Sequence, residues 1–160
     1  MTFETMLFNS SLMKAQALTE VMNCNPITAE YGLVLSETQA MEIVQTRSEA
    51  LLANGRIEFG GGVIDKIIKA FCDSAFMSQN SYAETINELV DIFYCYKNET
   101  FDKISDDDLI EFMCERFNGV CQGSLDLLRD RELELIARNI RKGYPLNYSG
   151  EDYEEQDYYE

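Results

Sequence analysis

Apolar residues recur at helical spacing in one segment after another, while the alternating runs typical of strands are nearly absent. This pattern predicts an all-α fold, a compact single-domain bundle of about six helices over residues 1–143. Residues 144–160 are acidic, rich in tyrosine and without periodicity, so they are too polar to bury much surface. We expect them to form a disordered tail.

Local start and stop residues delimit the first three predicted helices. Ser10 or Ser11 is expected to cap the first, which ends near Asn25–Pro26. The sequence "SETQ" is a capping box that opens the second, and Asn54–Gly55 ends it. The third follows a glycine triplet. The residues expected to face the core are Met13, Ala17, Leu18, Val21 and Met22, then Ala40, Met41, Val44, Ser48, Leu51 and Leu52, and then Val63, Ile64, Ile67, Ile68 and Phe71.

Similar signals delimit the last three predicted helices. The sequence "SYAE" at Ser81–Glu84 is a second capping box, and "SDDD" at Ser105–Asp108 caps the fifth helix, which ends at Asn118–Gly119. The sixth helix runs from near Ser124 to Gly143. Their expected core residues are Ile86, Leu89, Val90, Phe93 and Tyr96, then Leu109, Ile110, Met113 and Phe117, and then Leu125, Leu128, Leu133, Ile136 and Ile140.

The charge balance and the cysteines restrict the partners and the compartment. The chain has 29 acidic and 13 basic residues, and its formal charge of -16 repels phosphate backbones and anionic headgroups. No apolar run approaches the ~20 residues that span a bilayer, and the N-terminus lacks the pattern of a signal peptide. Five cysteines, an odd number, are not spaced like a secreted disulfide scaffold. We expect a cytoplasmic protein without nucleic-acid or membrane partners.

The sequence contains no histidine, which excludes several familiar chemistries. Ser–His and Cys–His nucleophile pairs, histidine-ligated zinc and the Glu-x-x-His di-iron pattern all need that residue. Acidic pairs at helical spacing, Glu84 with Glu88 and Glu111 with Glu115, are typical of a solvated helix face. We therefore predict no catalytic residue, no metal ligand and no cofactor.

The stretch "NGRIEFGGGVIDKIIKAF" places three glycines in front of a helix, where backbone N–H groups can bind an anion. The glycines fit neither the P-loop nor the dinucleotide fingerprint, so a tight structural turn is favoured over a ligand site. In that turn Arg56 and Glu58 are expected to pair, and Phe59 to fill the core. The candidate ligand-binding residues are Arg56, Glu58, Gly60, Gly61, Gly62 and Lys66.

Cys121 lies in "NGVCQGS", directly before the predicted sixth helix. A helix N-terminus can lower the pKa of a thiol and make it reactive, so Cys121 is a candidate redox or nucleophilic residue. The alternative is a tight turn with a half-buried thiol, and no base lies nearby in the sequence. Cys72 and Cys95 fall within helical patterns and are expected to be small core residues.

Several segments together resemble a known family: "YGLVLS", "NGRIEFGGGV", "AFCDS", "YAETINELVDIFYCYKNET", "ISDDDLIEFM", "CQGSL" and "ARNIRKG". The chain is similar over roughly residues 31–143 to an uncharacterised bacterial family, a domain of unknown function from anaerobic Gram-positive bacteria. Its sharpest element is "GRIEFGGG". The resemblance implies a small cytoplasmic bacterial protein and assigns no function to any residue.

Two functional hypotheses remain open. The first is a non-enzymatic helical interaction module, an adaptor or regulatory subunit that binds another protein through its helical surface. The second is a protein that binds or converts a small anionic ligand at the glycine-triplet corner between Arg56 and Lys66, with Cys121 nearby. The lack of a catalytic constellation favours the first hypothesis.

Overall fold

The computed structural model describes residues 3–58 and 62–144, with side chains from residue 12 onward. Throughout these ranges the regular secondary structure is helical, which confirms the all-α prediction. Six helices are long and two, α2 and α7, are single turns. The helices are α1 Phe3–Met22, α2 Asn25–Thr28, α3 Glu37–Ala53, α4 Ile64–Phe71, α5 Tyr82–Glu99, α6 Asp106–Asn118, α7 Leu125–Leu127 and α8 Leu133–Arg141. The predicted tail, residues 145–160, lies outside the described residues.

Helix α5 is the centre of the bundle, since α3, α4, α6, α7 and α8 all pack against it. Neighbours on several sides bury a broader face of α5 than the single inward stripe that the sequence predicted. The predicted stripe is buried, and four further residues are buried with it. These additional residues are Tyr82, Ile92, Tyr94 and Lys97.

Three predicted helix starts are confirmed by their capping hydrogen bonds. The Gln39 backbone N–H donates to Ser36 Oγ at 3.1 Å, and the Ser36 N–H donates to Gln39 Oε1 at 3.0 Å, which completes the capping box. The hydroxyls of Ser105 and Ser124 each accept from the backbone N–H three residues later, at 3.2 Å. Each cap satisfies a backbone donor that the first helical turn leaves without a partner.

Two predicted caps are wrong. Ser81 ends a 3₁₀ turn, Gln79–Ser81, and its hydroxyl lies 3.0 Å from Ser78 Oγ instead of capping α5. Helix α1 begins at Phe3, so Ser10 and Ser11 lie inside it. No glycine or proline interrupts the residues before Ser10, so the helix continues through them.

The inward face of α3 differs from the predicted one. Met41 and Leu52 are exposed, while Ile43 and Arg47 are buried. The true stripe follows helical spacing through Arg47, a residue that a search for apolar periodicity assigns to the surface. By contrast, the predicted core faces of α4 and α6 are confirmed, and the Phe71 and Phe117 rings meet edge to face at 5.3 Å.

The predicted sixth helix is observed as α7, a π-helical turn at Leu128–Glu132, and α8. It ends at Arg141, and Gly143, two residues later, has a left-handed φ of 90°, as expected after a helix end. The π turn was not predicted. It places Leu128 and Leu133, five residues apart, on the same buried face.

No helix within the described residues is long and apolar enough to cross a membrane.

Candidate functional site

The chain turns sharply after α3 and runs back along α5. Gly55 has a left-handed φ of 63°, and the next N–H, that of Arg56, donates to the Leu51 carbonyl at 2.8 Å. This arrangement closes the helix end and directs Arg56, Ile57 and Glu58 away from the α3 axis. We call this region the α3–α4 corner. It consists of residues 51–58 and of the residues that they contact on α5 and in the loop after α5.

A buried arginine lies behind the corner. Arg47 is 4% exposed, and its Nε donates to Tyr94 Oη at 3.3 Å while its Nη2 lies 3.4 Å from Glu58 Oε1. The Tyr94 hydroxyl donates to the same Glu58 oxygen at 2.6 Å. Because a buried guanidinium is costly without a counter-charge, this pairing fixes Glu58, and with it the loop, against α3 and α5.

Tyr94 acts in this network as a neutral donor. Burial raises the pKa of its hydroxyl well above the usual value near 10, and the Glu58 carboxylate raises it further. Deprotonation would place a second negative charge beside Glu58 in a buried site. The phenol therefore keeps its proton, and its hydrogen bond to Glu58, throughout the neutral range.

Gly62 closes over this ion pair. Its φ is 57°, and a Cβ atom there would lie 2.6 Å from Arg47 Nη2 and 2.7 Å from Glu58 Oε1. The backbone conformation therefore favours glycine at this position, and a larger residue would force the ends of the Arg47 and Glu58 side chains to shift. The other predicted residues of the triplet, Gly60 and Gly61, lie outside the described residues, as does Phe59.

The expected pair between Arg56 and Glu58 is wrong. Arg56 Nε donates to Asn98 Oδ1 at 3.1 Å, and its Nη2 donates to Asp102, while Glu58 is bound by Arg47. The two neighbouring side chains therefore contact different parts of the fold. From the sequence, Arg47 was assigned no role, so its pairing with Glu58 was not predicted.

A second buried cation continues the network beyond Asp102. The Lys97 ammonium lies 2.9 Å from Asp106 and 3.8 Å from Asp102, and it donates to the Ile104 carbonyl. Asp102 has a left-handed φ of 59° and lies between Arg56 and Lys97. These contacts hold the loop that joins α5 to α6 against the corner.

Lys66 and Cys121, two further candidates, belong to other environments. Lys66 pairs with Asp107 on α6 at 2.9 Å, and it shows no contact with Arg56 or Glu58 among the described residues. Cys121 is buried, and burial raises the pKa of its thiol, as does the nearby Glu132. A raised pKa opposes the reactive-thiol hypothesis, because the thiolate is the nucleophile. The following helix α7 is a single turn, too short to offset this effect.

The cysteine predictions for the helices have different outcomes. Cys72 is buried as expected, but Cys95 is exposed. Cys95 lies on the outer face of α5 beside Asp91 and Glu99, whose carboxylates pair with Arg129 and Arg141. The described residues contain no group of three or more metal-binding side chains placed to hold an ion.

The corner exposes an unusual amount of apolar surface. Leu52, Ile57 and Phe101 are 83%, 78% and 68% exposed, the largest values among the bulky apolar side chains in the described part of the chain. Each of the three is next in sequence to Arg56 or to a residue that Arg56 contacts. Leu52 follows the residue whose carbonyl accepts from the Arg56 backbone N–H, and Ile57 follows Arg56 itself. Phe101 precedes Asp102, the ion-pair partner of Arg56. We call Leu52, Ile57 and Phe101 the corner surface. From the sequence, Leu52 was predicted to face the core, and neither Ile57 nor Phe101 was predicted to belong to a site.

Comparison with known proteins identifies a family but no activity. Residues 20–146 match DUF6323, a family of unknown function, which confirms the resemblance to such a family and extends it beyond residues 31–143. No curated protein and no solved structure matches the chain.

Proposed function

The chain belongs to the family DUF6323, and we propose that it is a non-enzymatic helical interaction module that binds another protein through the corner surface. The observation that supports this proposal is the exposure of Leu52, Ile57 and Phe101 around a single fixed salt bridge, Arg56–Asp102.

Exposure of three bulky apolar side chains at one corner has an energetic consequence. Burying a leucine, isoleucine or phenylalanine side chain contributes roughly 1.5–3 kcal/mol, which this fold leaves unused at the corner. Single exposed apolar residues are normal, but several bulky apolar side chains exposed close to one another commonly mark an interaction site. A partner that covers all three residues would recover this free energy.

The corner is also held in shape before any partner arrives. Arg47 fixes the loop from behind through Glu58, and Arg56 ties it to Asn98 and Asp102. Phe101 itself has a left-handed φ of 55°, a conformation that costs of order 1–3 kcal/mol in a bulky residue and is commonly retained at functional sites. A preorganised surface loses less conformational entropy on binding.

The charge of the chain supports a protein partner over the other classes. A formal charge of -16 opposes nucleic acid and anionic membrane surfaces, and it favours a partner with basic residues around its apolar contacts. All five cysteines are free, in agreement with the proposed cytoplasmic location.

The alternative, an anionic-ligand site at the glycine-triplet corner, gains less support. It requires Arg56 and Lys66 to offer positive charge to one ligand. Arg56 pairs with Asp102, and Lys66 pairs with Asp107 on a different helix. A ligand would have to displace both carboxylates.

Affinity capture from the native host tests the proposal with three forms of the protein: wild type, Ile57→Lys/Phe101→Ser, and the control Leu135→Lys. Leu135 is an exposed leucine on α8, a helix that contributes no residue to the corner surface. We expect wild type and control to recover the same protein in comparable amounts and the corner variant to lose it. Equal recovery by all three forms, or recovery of no protein by wild type, would contradict the proposal.

A further inference from the structure

A groove of about 630 Å³ lies between α4 and α6, separate from the corner surface. Its floor contains Ala70 from α4 and Ile110 and Cys114 from α6. The Cys114 thiol donates to the Ala70 carbonyl at 3.2 Å, so the two helices are in close contact beneath the groove. The floor is therefore apolar and shallow.

Both ends of the groove are closed by side-chain contacts that also show the direction of the helices. Lys66 pairs with Asp107 near the start of both helices, and Ser74, just after α4, hydrogen-bonds Asn118, the last residue of α6. The helices therefore run parallel. At 1.5 Å per residue, the α6 wall between these contacts is roughly 16 Å long, which is about three helical turns.

The two walls of the groove differ in whether their charged side chains already have ion-pair partners. Lys66 is paired with Asp107 across the groove, and Lys69 lies 3.8 Å from Asp65 on its own helix. Glu111 and Glu115 line the α6 wall one turn apart, both are exposed, and neither forms an ion pair within the described residues. The available charge along the groove is therefore negative.

We propose that the α4–α6 groove binds a basic amphipathic helical segment of a partner protein. An aliphatic side chain of that segment contacts the Ala70, Ile110 and Cys114 floor, and its Lys or Arg residues, one turn apart, pair with Glu111 and Glu115. An acidic ligand, or a second copy of this chain with its charge of -16, would meet repulsion there.

This inference goes beyond the proposed function, because the groove and the corner surface are lined by different residues. Together they would give the module two docking surfaces, one mainly apolar and one apolar with an acidic wall. Each can be removed without the other, so their tests can fail separately.

The test uses two synthetic helical peptides of about four turns, with the same leucine stripe. One carries lysine and the other glutamate at the flanking positions, and binding to the full chain is measured by fluorescence polarisation. The groove variant is Glu111→Lys/Glu115→Lys. The matched control is Glu84→Lys/Glu88→Lys, which changes the charge equally at the same spacing on an exposed part of α5.

We expect the lysine peptide to bind wild type and to bind the groove variant about tenfold more weakly, because two attractions become repulsions. The control should stay within about twofold of wild type, and the glutamate peptide should prefer the groove variant. The corner variant Ile57→Lys should bind the lysine peptide like wild type. Equal weakening in groove variant and control would show nonspecific attraction and overturn the proposal, as would no binding at about 1 mM peptide.

A second measurement leaves the groove unmodified, so it does not depend on how the variants fold. In a Cys95→Ser background, which removes the exposed cysteine, the lysine peptide should slow the reaction of Cys114 with N-ethylmaleimide. If the peptide binds but leaves the rate of Cys114 modification unchanged, the peptide binds elsewhere and the proposal is overturned.

Discussion

The α3–α4 corner and the α4–α6 groove use charged residues in opposite ways. At the corner, Arg56 and the buried Arg47 are bound to carboxylates, and the exposed bulky apolar side chains are those of Leu52, Ile57 and Phe101. In the groove the apolar atoms form the floor, and Glu111 and Glu115 on the α6 wall form no ion pair in the described structure. The comparison indicates that the ion pairs at the corner stabilise the conformation of the loop, whereas carboxylates at the groove are available to bind a partner.

The largest effect should come from breaking the buried pair that supports the corner. Arg47→Met leaves Glu58 and Tyr94 without their cation, and we expect a loss of about 3 kcal/mol in the free energy of unfolding. Removing both charges, in Arg47→Met/Glu58→Gln, should recover part of that loss. Urea unfolding followed by circular dichroism measures both. A loss below about 1 kcal/mol in the single variant would show that the pair does not hold the corner.

Two glycine substitutions distinguish the cost of a steric contact from the cost of a left-handed backbone conformation. Gly62→Ala places a Cβ atom against the Arg47–Glu58 pair, and we expect a loss of about 2 kcal/mol in the free energy of unfolding. Gly55→Ala is the matched control, because its φ is also left-handed but nothing lies within 4 Å of its Cβ position. That control should lose only about 1 kcal/mol. Equal losses in the two variants would mean that Gly62 does not approach the pair.

Alkaline pH tests the role of Tyr94. The folded pKa of its hydroxyl lies above the unfolded value near 10, so this stabilisation is complete below pH 10 and is lost as the pH rises toward the folded pKa. Tyr94→Phe removes this dependence. The stability gap between wild type and variant should therefore shrink by about 1 kcal/mol between pH 8 and pH 11. A gap that stays constant over this range would indicate that Tyr94 titrates normally.

The smallest stability effect is expected at the corner surface. Leu52→Ser should change the free energy of unfolding by less than about 0.5 kcal/mol, because its side chain is already solvated. Its neighbour Leu51 is buried, and Leu51→Ser should cost about 3 kcal/mol. Chemical denaturation of the two variants compares them directly. A large cost at Leu52 would place that side chain in the core, as the sequence pattern had suggested.

Much of the fold was predictable because its signals are local. Capping serines at positions 36, 105 and 124 and the glycine stops act within a few residues, so their outcome follows from the sequence. The Ser81 cap failed because a competing local structure forms: a 3₁₀ turn brings its hydroxyl to Ser78, three residues earlier. The π turn had a visible signal, the five-residue gap between Leu128 and Leu133.

The candidate site was harder to predict because its contacts join distant residues. Arg47 meets a carboxylate eleven residues away and a phenol forty-seven residues away. One signal was present: Ile43, Arg47 and Leu51 follow a single helical stripe, which marks Arg47 as an inward cation that needs a partner. The exposure of Leu52 had no such signal, because its apolar character fits an inward position equally well.

The most direct test of the corner surface is photo-crosslinking in living cells, with a photoreactive amino acid at position 57 or, as control, at position 135. The account predicts one discrete crosslinked protein from position 57, lost when Phe101→Ser is added, and no such product from position 135. The same crosslinked protein from both positions, or none from position 57, would contradict it.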